Sequence, residues 1–140
     1  MIPARFLVHP TRMQNQTITR TIESALEPAA IFAVLSKPEL IPQWAPVFAD
    51  KAKQVSGSHY SFSKGSDTFS VEIVTNSTSL TVDYLREMPN NKRGGAYIRV
   101  MPRPLGGSTV VMTVPIGPNA TSEQVGRVLD EELEALLKLV

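Results

Sequence analysis

The chain has 140 residues, 14 Lys and Arg against 13 Asp and Glu, 42% hydrophobic residues and no cysteine. That length suits one domain, or one domain with a short tail. The near-neutral charge argues against a dedicated nucleic-acid binder, and the lack of Cys excludes disulfides, thiolate metal sites and a cysteine nucleophile.

No run approaches the roughly 18 apolar residues needed to span a bilayer, so membrane insertion is not expected. The N-terminus carries only Phe6-Leu7-Val8 as an apolar piece. It lacks a signal-peptide pattern, which points to the cytoplasm. Residues 1–16, with Pro3 and Pro10, read as an N-terminal extension that Phe6 and Val8 could dock. Residues 17–140 read as the domain.

Thr17 to Ser24 alternates, with Ile18, Arg20 and Ile22 on one face and Thr17, Thr19, Thr21 and Glu23 on the other. That pattern, rich in β-branched residues, predicts a strand. Pro28 suits the first position of a helix that carries Ile31, Val34 and Leu35 on one face. Ser36-Lys37-Pro38 stops it, and Pro38 opens a second short helical segment that Pro42 and Pro46 keep irregular around Trp44.

After Phe48 the period falls to two. Strands are expected over Asp50–Val55, His59–Ser63, Thr68–Thr75, Leu80–Glu87, Ala96–Arg103 and Thr109–Ile116. Short Gly-, Asn- and Ser-rich turns separate them, which implies an antiparallel meander. The last segment predicts the clearest helix. Thr121-Ser122-Glu123-Gln124 fits a capping box, and Val125, Val128, Leu129, Leu133, Leu136, Leu137 and Val140 recur at helical spacing. Gly126 lies on or beside that apolar stripe, where it would allow close approach of helix and sheet.

One antiparallel sheet has one face to bury, and a long amphipathic helix can cover it. If the sheet curves strongly, one helix cannot fill the concavity and a pocket remains. The candidates for its lining are Trp44, Phe48, Phe62, Phe69, Val71, Ile73, Val82, Tyr84 and Tyr97. Arg20 and Arg99 are the candidate polar groups. Each could pair a ligand carboxylate or enolate, or lay its stem on apolar surface with its head in solvent. Trp44 could anchor the core, stack on a ligand, or do both. Glu72 and Asp83 fall opposite the apolar residues, where cross-strand pairing with Lys or Arg is the expectation. His9 and His59 read as exposed loop residues. No metal site and no cofactor are implied, and no catalytic set can be named.

The stretch Ile22-Glu23-Ser24-Ala25-Leu26-Glu27-Pro28-Ala29-Ala30-Ile31-Phe32, then Pro38, then Ile41-Pro42-Gln43-Trp44-Ala45-Pro46-Val47-Phe48-Ala49, resembles the opening of the START-like (SRPBCC) superfamily. Its bacterial members labelled polyketide cyclase/dehydrase are the nearest in pattern. Gly107 to Thr113 is similar to their last strand, and Glu131 to Lys138 to their terminal helix. The resemblance covers residues 17–140. It implies an α+β helix-grip fold, a curved antiparallel sheet of about seven strands around the C-terminal helix. It also implies a small hydrophobic or amphipathic ligand (lipid-, steroid- or polyketide-like) in an internal cavity, or a cyclase/dehydratase using that cavity. No nucleic-acid partner follows from it, and a homodimer stays open.

Overall fold

The computed structural model describes residues 16–140. The expected extension, with Phe6, Val8 and His9, lies outside the described residues except for Gln16. The chain runs β1 (Thr17–Ser24), α1 (Pro28–Leu35), a 3-10 turn (Pro38–Leu40), α2 (Ile41–Trp44), then β2 (Lys51–Ser56), β3 (His59–Lys64), β4 (Asp67–Asn76), β5 (Thr81–Met88), a second 3-10 turn (Pro89–Asn91), β6 (Lys92–Pro102) and β7 (Ser108–Pro115), and ends in α3 (Ser122–Leu137).

All seven strands form one antiparallel sheet in the order β1-β7-β6-β5-β4-β3-β2. Six of them are the expected meander. The first strand returns to pair with the last, in a register running from Thr17 opposite Pro115 to Ser24 opposite Ser108. The α1–α2 excursion and α3 cover the same face, so α3 is gripped against the sheet. This is the helix-grip α+β fold.

Local chemistry explains the element ends. Pro28 opens α1, as expected, because its missing N–H would have no intrahelical acceptor there. In the capping box of α3, the Gln124 N–H donates to Thr121 Oγ1 at 3.1 Å and the Thr121 N–H donates to Gln124 Oε1 at 3.0 Å. Gly107 sits at φ 83 where a Cβ would strike the backbone of Ser24 and Ala25, so glycine is required for β7 to start beside the end of β1. The adjacent Ser108 is fully buried and donates Oγ to Leu26 O at 2.7 Å. The largest departure from expectation is at β6, which begins at Lys92 rather than Ala96, so that Lys92 to Gly95 pair with β5 instead of forming a turn. Leu80, expected to open β5, lies in the turn before it at φ 57.

The core lies between sheet and helices. Phe62, Val71, Ile73, Val82, Ile98, Val100 and Val110 fill the sheet's inner face, against Ile31, Leu35, Leu129, Leu133 and Leu136 from the helices. The filling is uneven along the strands. Val82 pairs with Ile98 and Val100 with Val110, so that end is packed by large residues. Toward the other end of β6 the inner face steps down to Ala96 and Gly94, opposite Tyr84 and Arg86 of β5. A hollow remains there.

Candidate functional site

The hollow has a volume of about 370 Å³. Its walls are Tyr84, Arg86 and Met88 of β5, Gly94 to Ala96 of β6, Met112, Val114 and Pro115 of β7, Ile41, Trp44, Ala45, Val47 and Phe48 from α2 and the segment after it, and Val125, Val128, Leu129 and Glu132 of α3. Val47 and Met88, 60% and 44% exposed, mark its rim. Phe48 lines the hollow as well. Its ring packs edge-on to Phe62 and Phe69 at centroid distances of 5.4 and 5.5 Å.

The cavity exists because of small residues. A Cβ at Gly94 would reach the Met88 side chain and begin to fill the space. Ala96 leaves open what Ile98 and Val100 fill farther along the same strand.

Four polar groups interrupt the apolar wall. Tyr84 is buried, and its hydroxyl donates to Leu35 O at 2.5 Å. Burial drives its phenol far above the ordinary range, so it stays protonated and serves as a structural donor. Trp44 is 2% exposed, and its indole N–H has no acceptor among the described residues. Arg86 holds its guanidinium 3.8 Å above the centre of the Phe69 ring. Glu132, partly buried on α3, has its carboxyl pushed up to about 7, first by burial and then by the charge of Glu131.

Of the residues singled out from sequence, Trp44, Phe48 and Tyr84 line this cavity. Phe62, Phe69, Val71, Ile73 and Val82 face inward as alternation requires, but they form the packed core behind it. Tyr97 and Arg99 lie on the outer face, exposed, because Ile98 and Val100 between and beside them take the inner one. Arg20 is also displaced from its expected place at the pocket. It lies along α3 and pairs with Asp130 at 3.4 Å, and its Nε-bearing head passes over Gly126, where a Cβ would strike the guanidinium.

On the outer face Glu72 finds a basic partner, though not on a neighbouring strand: it pairs with Arg93 of β6, across β5. Asp83 finds none among the described residues, because its cross-strand neighbours are Val74 and Tyr97. That partly apolar setting raises its carboxyl above the usual range through desolvation. His59 is exposed at the start of β3. Among the described residues no group of three or more His, Asp or Glu is placed to hold a metal ion, and no helix is long and apolar enough to cross a membrane.

Arg86 and Glu132 were not singled out from sequence, though the signal was present. Extending the Val82, Tyr84 alternation by two residues reaches Arg86. Val125, Val128, Leu129 and Glu132 follow the i, i+3, i+4, i+7 spacing of one helix face.

A family model described as polyketide cyclase / dehydrase and lipid transport matches residues 15–140. No curated protein matches the sequence. Solved structures share the fold. A START superfamily protein from Mycobacterium smegmatis is 14% identical, with a TM-score of 0.63 over 89% of this chain and 93% of that one. The XoxI protein from Bacillus cereus is 16% identical, with a TM-score of 0.66 over 89% and 95%. The Zhui aromatase/cyclase from Streptomyces sp. R1128 is 12% identical, with a TM-score of 0.61 over 88% and 92%. With a seven-stranded sheet gripping a C-terminal helix and a family match across nearly its whole length, the chain belongs to the polyketide cyclase / dehydrase and lipid transport family and has a START-like fold.

Proposed function

We propose that the protein binds a small hydrophobic or amphipathic molecule in the cavity between α3 and the open end of the sheet. The observation that carries this reading is the hollow itself: about 370 Å³, walled mainly by apolar side chains, with a few convergent polar groups. A dry cavity of about 150 Å³ is enough to hold benzene. The space here suits a guest of roughly two to three rings, or a medium-length chain, by that same comparison.

Thermal-shift screening against fatty acids, sterols and aromatic polyketides tests it. A guest bound only by the folded state raises apparent stability, by about 2.7 kcal/mol at a hundredfold excess over Kd. At least one class should raise the melting temperature, with a shift that grows as the logarithm of its concentration above Kd. No shift across the panel overturns the reading.

A second reading, a cyclase or dehydratase using the same cavity, is favoured by Glu132. A carboxyl poised near neutral pH inside an apolar wall is suited to moving a proton to or from a guest. Glu132→Gln should then abolish conversion of a poly-β-ketone substrate while leaving its binding intact. Unchanged turnover in that variant would remove Glu132 from the chemistry.

A further inference from the structure

Arg86 and Glu132 enter the cavity from opposite layers, one from β5 and one from α3. Among the described residues neither forms an ion pair, with the other or with anything else. Arg20, Arg93, Arg103 and Arg127 all have carboxylate partners; Arg86 and Arg99 do not, and, Arg99 being exposed on the outer face, only Arg86 of those two lines the cavity. Stacking on Phe69 fixes the plane of its guanidinium but uses only its face. The N–H edge, the part that grips a carboxylate through two parallel hydrogen bonds, is left for another partner.

The two charges are not equivalent. A carboxyl in an apolar wall can take up a proton and become neutral, whereas a guanidinium cannot shed one. The permanent charge of the cavity is therefore the cation, and the adjustable one is the acid.

We propose that the guest is an apolar monocarboxylate, its head bound to the Arg86 guanidinium and its body along the apolar wall, with Glu132 protonated in the complex. The proposal rests on the cavity-binding reading above and narrows it to one class of ligand.

The groups around Glu132 set the sign of its pH dependence. On α3 itself, Glu131 is adjacent and repels it, while Asp130 is engaged with Arg20 of β1. Helix α1 carries no charged residue, and α2 brings the Trp44 indole. The sheet brings Tyr84, its hydroxyl already bonded to Leu35 O, and Arg86 to the same cavity, and neither of them enters the causes of the raised carboxyl, which are burial and Glu131. Below the midpoint of Glu132 the cavity carries the charge of Arg86 alone and attracts an anion. Above it the two charges cancel and a carboxylate faces a like charge. Affinity for a carboxylate therefore falls as pH rises from 6 to 8, by at most about tenfold per unit.

The experiment compares decanoate, 1-decanol and decylamine by calorimetry at pH 6, 7 and 8, with 2-naphthoate and 2-naphthylmethanol as a ring-shaped pair. The carboxylates should bind at least about tenfold more tightly than the matched alcohols at pH 6, the loss expected for one charge-assisted contact. Arg86→Gln should remove that preference and leave the alcohols within about threefold, whereas Arg86→Lys, which keeps the charge, should retain part of it. Glu132→Gln should flatten the pH dependence of carboxylate binding. Equal binding of acid and alcohol, preference for the amine, or equal loss of both in Arg86→Gln overturns the proposal while leaving cavity binding standing. Failure of all five probes to bind overturns both.

Discussion

Trp44 and Tyr84 stand side by side in the cavity wall, ring centroids 6.3 Å apart, and only one of their two polar atoms is paired. The Tyr84 hydroxyl donates to Leu35 O, whereas the Trp44 indole N–H finds no acceptor among the described residues. The two residues should therefore respond oppositely to loss of their polar atoms. Tyr84→Phe leaves a buried carbonyl without its donor and should cost about 1–3 kcal/mol in the empty protein. Trp44→Phe removes an unpaired donor, so its cost should reflect lost volume only. If a guest oxygen accepts from the indole, Trp44→Phe should weaken oxygenated ligands by about tenfold and spare hydrocarbons. Urea denaturation of both variants, with ligand titrations beside it, separates the two effects.

Ala96 and Gly94 keep the cavity open, so it can be closed from the sheet side. Ala96→Leu adds three carbons to the wall of a space of about 370 Å³. If they fill it without strain, burial at about 0.8 kcal/mol per methylene stabilises the fold by up to roughly 2 kcal/mol. The expected outcome is a melting temperature equal to or above that of the parent, together with loss of binding. A variant that binds as well as the parent would show that the guest sits elsewhere.

Arg20 is a case where the residue type was informative and the position was not. Its strand face does look toward α3, but Gly126 lets the guanidinium cross the helix to Asp130, outside the cavity. Both side chains are substantially exposed, so the pair contributes at most about 1 kcal/mol. Gly126→Ala would push the guanidinium aside while removing a helix-interior glycine, a gain of up to about 1 kcal/mol. The two effects oppose each other. Gly126→Ala and Arg20→Gln should each change stability by less than about 1 kcal/mol and leave ligand affinity unchanged. A large loss of affinity in Arg20→Gln would return that residue to the site.

The strands, the two short helices and the capped terminal helix were legible in the sequence because each carries its own period and punctuation. Phe62, Val71, Ile73 and Val82 were correctly placed on the inner face for the same reason. Alternation says which side a residue faces, but not how far along the sheet it lies. That position depends on register, which pairs Tyr84 with Ala96 and Arg86 with Gly94. The small partners mark the hollow, and they are distant in sequence from the residues they leave uncovered. Tyr97 could be assigned outward only once Ile98 was known to be inward. Arg86 and Glu132 escaped notice because a charge interrupts an apolar pattern and looks like its end.

Glu132 should also leave a signature in stability. Its carboxyl is raised from an ordinary 4.5 to about 7 in the folded protein. The folded state thus binds its proton more tightly than the unfolded chain does. The stabilisation is fully present below about 4.5 and is lost as pH rises through about 7. A gap of that size corresponds to roughly 3 kcal/mol, since each unit is worth about 1.4 kcal/mol. Glu132→Gln presents a permanently neutral isostere and removes the dependence. The parent and the variant should have similar unfolding free energies near pH 4.5, and the variant should gain by about 2–3 kcal/mol by pH 8. Asp50, held below the usual carboxylate range by the Gly65 N–H and Lys64, and Asp83, raised by desolvation, titrate identically in both proteins and cancel in the difference. Denaturant midpoints measured across that range decide it. Parallel curves would mean that Glu132 keeps its charge in solvent and takes no part in the cavity wall.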